Sequence, residues 1–244
     1  MPDASRHALT TLVVCAHGTR DPAGRETVRA VVAAVGVRLP EVPVLEAYVD
    51  VHGPDVAEVV AALPAGGRVA GVVVPLLLGG GYHVHVDIAR AVAGRGDVLA
   101  TPALGPDDRL VDLVLNRLAD AGAAPGCAVV LAPAGSGDPR AQADSAETGR
   151  RLQARWGGLV TLGYAAGPVP SVADAVRSAR AASGGPVAVA SYLLAPGYFQ
   201  GRLEQAGADV VTGPLAPDSR IVDIVCARYH AALDFAWGTA GPVA

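Results

Sequence analysis

The chain has 244 residues, 51% hydrophobic and 17% charged, with a formal net charge of -4. That apolar content supports a packed core and excludes a disordered chain, and no basic stripe with interleaved aromatics is present to serve a nucleic acid. A membrane helix needs ~20 apolar residues, whereas the longest apolar run, Val69 to Leu78, is far shorter and is interrupted by Pro75.

Met1 to Thr10 is polar and lacks the apolar segment of a signal peptide, so a soluble, cytoplasmic protein is expected. Thr11 to Ala16 is a short β-branched and apolar run, the pattern of a buried parallel strand. Asp21-Pro22 then opens a helix, with Asp as cap and Pro in the first turn. Further strands are predicted at about Val42 to Val49, Val69 to Leu78 and Val98 to Thr101. Helices are predicted between them, at about Pro54 to Leu63, Val86 to Ala93 and Asp107 to Ala121. Strand–helix alternation of this kind implies an α/β fold, a parallel sheet with helices on both faces. Cys15, Cys127 and Cys226 each sit in apolar runs with no Cys-x-x-Cys pair, which reads as three core thiols.

The second half repeats the first. Leu12–Pro22 matches Val129–Pro139, Val72–His83 matches Ala188–Phe199, and Leu104–Val114 matches Leu215–Val225, in the same order. Small loop changes account for the drifting offset. The chain is therefore read as two tandem, duplicated domains, residues 1–123 and 124–244, joined near Gly122 to Gly126.

In parallel sheets, ligands sit at the carboxyl ends of the strands. Three polar candidates fall there: His17 after the first strand, Asp50 after the second, and His83 after the third and its Gly79-Gly80-Gly81-Tyr82 turn. Imidazole and carboxylate suit transition-metal binding or proton transfer. Each also has a plain structural reading, as a turn histidine or a capping or solvated acid. Glu46 and His52 are weaker alternatives to Asp50, and His85 reads as a lining or solvated residue. The duplication discriminates between these readings. His17, Asp50 and His83 correspond to Ala134, Ala166 and Phe199, so all three polar groups are lost together while the Gly, Pro and Asp framework persists. A site kept in one copy and erased in the other explains that pattern better than three unrelated core residues.

His17-Gly-Thr-Arg-Asp-Pro22, the strand-end acid before Pro54, and Pro75 followed by His83 with Asp87-Ile88 behind it resemble the class II sirohydrochlorin chelatases, whose long members are tandem duplications. The resemblance implies insertion of a divalent metal, Fe2+ or Co2+, into a sirohydrochlorin-type tetrapyrrole in siroheme or cobalamin biosynthesis, with no other cofactor. It implies that His17 and His83 hold the metal and accept protons, with Asp50 as a further metal ligand or proton acceptor. Relatives often have Glu at the position of Asp50, whose side chain reaches ~1.5 Å less; Ala89 stands where a Pro is frequent. Gly18, Thr19 and Gly79 to Gly81 would offer backbone amides to the ring's carboxylates, with Arg20 either joining them or pairing at the surface. Tyr82 and His85 would complete the substrate-binding lining. The partners implied are the tetrapyrrole and the metal, with no nucleic acid and no membrane. A monomer or weak homo-oligomer suffices, since two halves in one chain can stand in for a homodimer.

The alternative is a non-catalytic carrier of metal or tetrapyrrole, which would keep the same histidines. A histidine phosphotransferase is disfavoured because Ala16, not Arg, precedes His17. A nucleotide-binding module is disfavoured because no Gly-x-Gly-x-x-Gly follows a strand.

Overall fold

The computed structural model describes residues 10–65 and 68–238. The N-terminal stretch read above as lacking a signal peptide lies, up to Leu9, outside them. The first half runs β1 (Thr11–Ala16), α1 (Pro22–Arg38), β2 (Val44–Tyr48), α2 (Val56–Ala62), β3 (Gly71–Pro75), α3 (Ala89–Ala93), β4 (Val98–Ala100) and α4 (Asp108–Asp120). The second runs β5 (Ala128–Pro133), α5 (Pro139–Trp156), β6 (Val160–Leu162), α6 (Val172–Ser183), β7 (Val187–Tyr192), α7 (Tyr198–Glu204), β8 (Val210–Val211) and α8 (Ser219–Gly238). The strands form two parallel four-stranded sheets, ordered β2-β1-β3-β4 and β6-β5-β7-β8. The α/β architecture with a duplicated sheet is as the sequence predicts.

Several boundaries differ from the prediction by one or two residues, and two by more. The third strand ends at Pro75, whose missing N–H stops regular pairing on that side, instead of continuing to Leu78. The third helix starts earlier than Val86: a π-helical turn, His83–Ile88, runs directly into α3. That shift matters below, because it puts His83 on a helix rather than in a turn.

Helix starts follow from local chemistry that the repeat preserves. Asp21 Oδ1 accepts from Gly24 N at 3.0 Å and Asp138 Oδ1 from Arg140 N at 2.9 Å, each with Pro in the first turn. Asp107 and Asp218 each cap a helix and also grip the Arg two residues on, Arg109 and Arg220. Pairing with Arg109 and Arg220 holds both carboxyls below the usual range, against burial, which acts in the other direction.

The two faces of each sheet have different partners. In the first sheet, Val13, Cys15 and Val73 face outward onto Val56 and Val60 of α2 and onto Ile88. Leu12, Val14 and Val72 face inward and belong to one continuous core with Val129, Leu131 and Ala188 of the second sheet. The helices between them are exchanged: α4 packs on β7 and α5, while α8 packs on β3 and α1. Ile221, Ile224 and Val225 of α8 thus complete the core over the first half's strands.

Arginines fix that exchange at both ends of the pseudo-symmetry. Arg117 of α4 donates to the carbonyls of Pro214 and Leu215, at 3.2 and 3.0 Å. Arg228 of α8 donates to Ala103 and Leu104, both at 3.2 Å. These carbonyls lie in partly buried loops, where losing a charged donor leaves an acceptor unsatisfied. Replacing Arg228 with Ala should lower stability to urea by about 1–3 kcal/mol. A loss near zero would show that the loop carbonyls are solvated without it.

Candidate metal and tetrapyrrole site

In the first sheet the strand order reverses between β1 and β3, the position where a crevice opens at the carboxyl ends. His17 leaves β1 directly after Ala16, and His83 begins the π-helical turn beyond β3. π-Turns are frequent at functional sites. The two imidazoles meet edge to face, with ring centroids 4.5 Å apart and planes at 88°.

Their hydrogen bonds select tautomers. His83 Nδ1 lies 2.7 Å from Asp87 Oδ2, so Nδ1 carries the donated proton. His17 Nδ1 lies 3.3 Å from the carbonyl of Gly18, which accepts and cannot donate. In the neutral form, each ring with its proton on Nδ1 keeps an Nε2 lone pair for a metal or a proton. The Asp87–His83 pair is the arrangement that orients a ligating imidazole.

Asp50 stands at the same rim but does not join the pair as a ligand set. Its backbone N–H donates to the carbonyl of His17 at 3.0 Å, fixing the loop after β2 against the loop after β1. Its carboxylate turns back on its own loop, with Oδ1 accepting from Val51 N at 2.6 Å. Val51 holds φ at 67°, a strained conformation for a β-branched residue. Among the described residues, no three His, Cys, Asp or Glu side chains gather as a metal-binding group.

Gly18 makes the contact between the two loops feasible. Its φ is +100°, and a Cβ there would stand 2.2 Å from the carbonyl oxygen of Asp50. Gly135 repeats this in the second half, with φ +101° and a Cβ position 1.8 Å from the carbonyl oxygen of Ala166. The Ala166 N–H likewise donates to Ala134 at 2.9 Å. The second half thus keeps the backbone of the site and lacks its polar side chains.

The expected ring-binding residues divide into two groups. Arg20 is exposed and has no ion pair among the described residues, and Tyr82 is exposed with its ring 6.0 Å from His83. Gly80 and Gly81, in contrast, do not offer free amides. Gly80 N donates to Asp144 Oδ2 of α5 at 2.7 Å, and Gly81 N donates to the carbonyl of Gly79 at 3.1 Å. Their lack of a side chain serves close packing on the second half, since a Cβ on Gly81 would meet Ala141 and Ser136 at 3.3 Å. His85 follows that loop: its Nε2 lies beside Gly80, and its imidazole helps hold the carboxyl of Asp138 low, behind the larger effect of Arg140. Thr19 closes its own turn, with Oγ1 accepting from Asp21 N at 3.1 Å. His52 packs on Tyr48 at 4.0 Å between ring centroids, away from the imidazole pair.

Asp87 is the site residue that reading the sequence position by position missed. Its signal is the i,i+4 spacing from His83, which counts only if both lie on one helix. Cys15 lies beneath the rim in β1 and is inert: burial, then the charges of Asp55 and Asp87, push its thiol up to about 12.

The CbiX family model matches residues 11–121 and again residues 128–232. SirB from Bacillus subtilis with Fe3+ is similar in structure, with a TM-score of 0.79 at 18% identity over 93% of this chain and 97% of that one. The sirohydrochlorin chelatase SirB from Bacillus subtilis subspecies spizizenii in complex with cobalt gives a TM-score of 0.74 at 18% identity, covering 93% and 96%. CbiX, described as the terminal enzyme for biosynthesis of siroheme in denitrifying bacteria, gives 0.67 at 22% identity, covering 91% and 99%. At such identities the likeness is one of fold. No curated protein matches the chain in sequence.

Removing a partner that orients a ligating histidine typically costs 10–100-fold in metal affinity. Asp87→Ala should therefore weaken Co2+ binding by about tenfold or more, read by titration of the metal's visible absorption, with the melting temperature little changed. Unchanged Co2+ affinity would dismiss the buttressing role. Gly18→Ala should be severe in a different way. The added Cβ cannot coexist with the Asp50 carbonyl, and its φ alone costs about 1–2 kcal/mol; both stability and metal binding should fall, and a variant with wild-type melting would contradict the packing of the two loops.

Proposed function

Because the chain belongs to the CbiX family, we propose that it is a sirohydrochlorin chelatase, inserting Fe2+ or Co2+ into a sirohydrochlorin-type tetrapyrrole for siroheme or cobalamin biosynthesis. The observation that carries this reading is the pair of imidazoles at the carboxyl ends of β1 and β3, each with Nδ1 on an oxygen acceptor and one braced by a carboxylate. Relatives of the same fold with iron and with cobalt support a transition-metal substrate.

Insertion exchanges two pyrrole protons for one divalent ion. Two neutral imidazoles suit both tasks. They bind a borderline metal firmly enough to strip part of its water, yet leave most coordination positions open to the ring. As ring nitrogens replace imidazole on the metal, each freed Nε2 lone pair is placed to accept a departing proton. Asp87 Oδ2, 2.7 Å from His83 Nδ1, keeps that ring in place during the exchange. Asp50 is a third ligand only if its carboxylate rotates off Val51 N; otherwise it is the next proton acceptor along the rim. No ATP or organic cofactor is needed for this exchange. Arg20 and the amide of Gly18 supply positive character for the ring's carboxylates.

The test is anaerobic insertion, with the full chain, sirohydrochlorin and Fe2+ or Co2+, followed through loss of the metal-free absorption band. His17→Ala/His83→Ala should lose at least about 100-fold in kcat/KM, the usual worth of a positioned acid–base group. If wild type runs no faster than the double variant, or than ring and metal alone, insertion is excluded and carriage of metal or tetrapyrrole takes its place.

A further inference from the structure

The erased half is not erased uniformly. His17 and Asp50 correspond to Ala134 and Ala166, truncations to a methyl group, but His83 corresponds to Phe199. Tyr82 is matched by Tyr198. Metal-binding capacity is gone, while a pair of aromatic rings is kept. Both are out in solvent: Tyr198 is 73% exposed and Phe199 39%, with centroids 5.5 Å apart. Of the six Tyr, Tyr48, Tyr164, Tyr192 and Tyr229 are buried; Tyr82, beside His83, and Phe235 are exposed like the pair. Simple decay of a disused site gives no reason to leave a Tyr-Phe pair uncovered, because bare aromatic surface is unfavourable in water.

The pair also lies at the seam between the halves. Gly197, the residue before Tyr198, is so placed that a Cβ would lie 3.5 Å from Asp21 Cβ and 3.8 Å from Thr19 Oγ1. A Cβ on Gly24 would lie 2.8 Å from the carbonyl of Pro196. The loop leading into α7 therefore rests on the segment that follows His17. This mirrors Gly81, whose Cβ position is 3.3 Å from Ser136 Oγ. One helical turn beyond Tyr198, Arg202 is exposed and has no ion pair among the described residues; Arg20 has the same character beside His17.

We propose that Tyr198 and Phe199 form an aromatic wall against which a face of the macrocycle packs, with Arg202 meeting its peripheral carboxylates, so that the C-terminal half acts as the substrate grip for the metal centre of the N-terminal half. This rests on the chelatase reading for its ligand. Flat, conjugated rings bind aromatic side chains by offset or edge-to-face contact, and guanidinium recognises carboxylate by charge and paired donors. The occupant the wall fits is thus a planar polycarboxylate.

The experiment measures binding of metal-free sirohydrochlorin to the full chain, without metal, through quenching of the ring's own fluorescence. In parallel, Co2+ affinity is measured without the ring. Tyr198→Ala/Phe199→Ala should raise the Kd for the ring about tenfold, the scale of an aromatic contact, and leave Co2+ affinity as in wild type. Phe199→Tyr, which keeps the ring, should retain most of the binding. His17→Ala/His83→Ala should do the reverse, losing Co2+ and keeping the ring. An unchanged ring Kd in the double alanine variant overturns the wall, as does a wild-type chain that binds no ring. If the ring is gripped as expected but no metal is ever inserted, the chelatase reading fails and the wall stands.

Discussion

The packing of each half's last helix on the other half's sheet is the interaction on which the rest depends. Without α8, the inner face of the first sheet (Leu12, Val14, Val72) would lose Ile221, Ile224 and Val225. Without α4, β7 would be similarly bare. Burying such side chains is worth about 1.5–3 kcal/mol each, so neither half is expected to be stable when cut free. Arg117 and Arg228 hold the exchanged helices to the loops that precede the last helix of the opposite half. The duplication is a repeat in sequence but one body in packing.

That exchange has a consequence for the site. It fixes the two sheets with their carboxyl-end loops in mutual contact, Gly79–Gly81 against the start of α5 and Pro196–Gly197 against the start of α1. The second half can therefore lose its own ligands and still matter to the first. Asp144, reaching across to Gly80 N, holds the turn from which His83 emerges. A residue of the second half so helps set the position of a proposed metal ligand of the first.

Much of this was legible beforehand. Strand-end histidines fall on one rim because parallel strands share a direction, and the apolar runs located β1 closely and the centre of β3, though not its ends. The comparison between halves was informative because one backbone frame, down to Gly18 and Gly135 at positive φ, carries two different sets of side chains. The helix exchange was not legible: periodicity marks which face of α4 or α8 is apolar, not which sheet it covers. The glycine amides were misjudged for the same reason. Gly80 looks like a ligand-binding glycine until Asp144, 64 positions away, is found on its N–H. Asp87 was missed because the Gly-rich turn seemed to delay the helix past His83, hiding the i,i+4 relation.

In the proposed function, His17 and His83 hold the metal through Nε2. X-ray absorption on the Co2+-loaded protein tests it most directly, because imidazole rings give a multiple-scattering pattern that water and carboxylate do not. Two imidazole ligands are expected in wild type, one in either single alanine variant and none in the double. A wild-type spectrum without imidazole scattering, or one unchanged in the double variant, would contradict it.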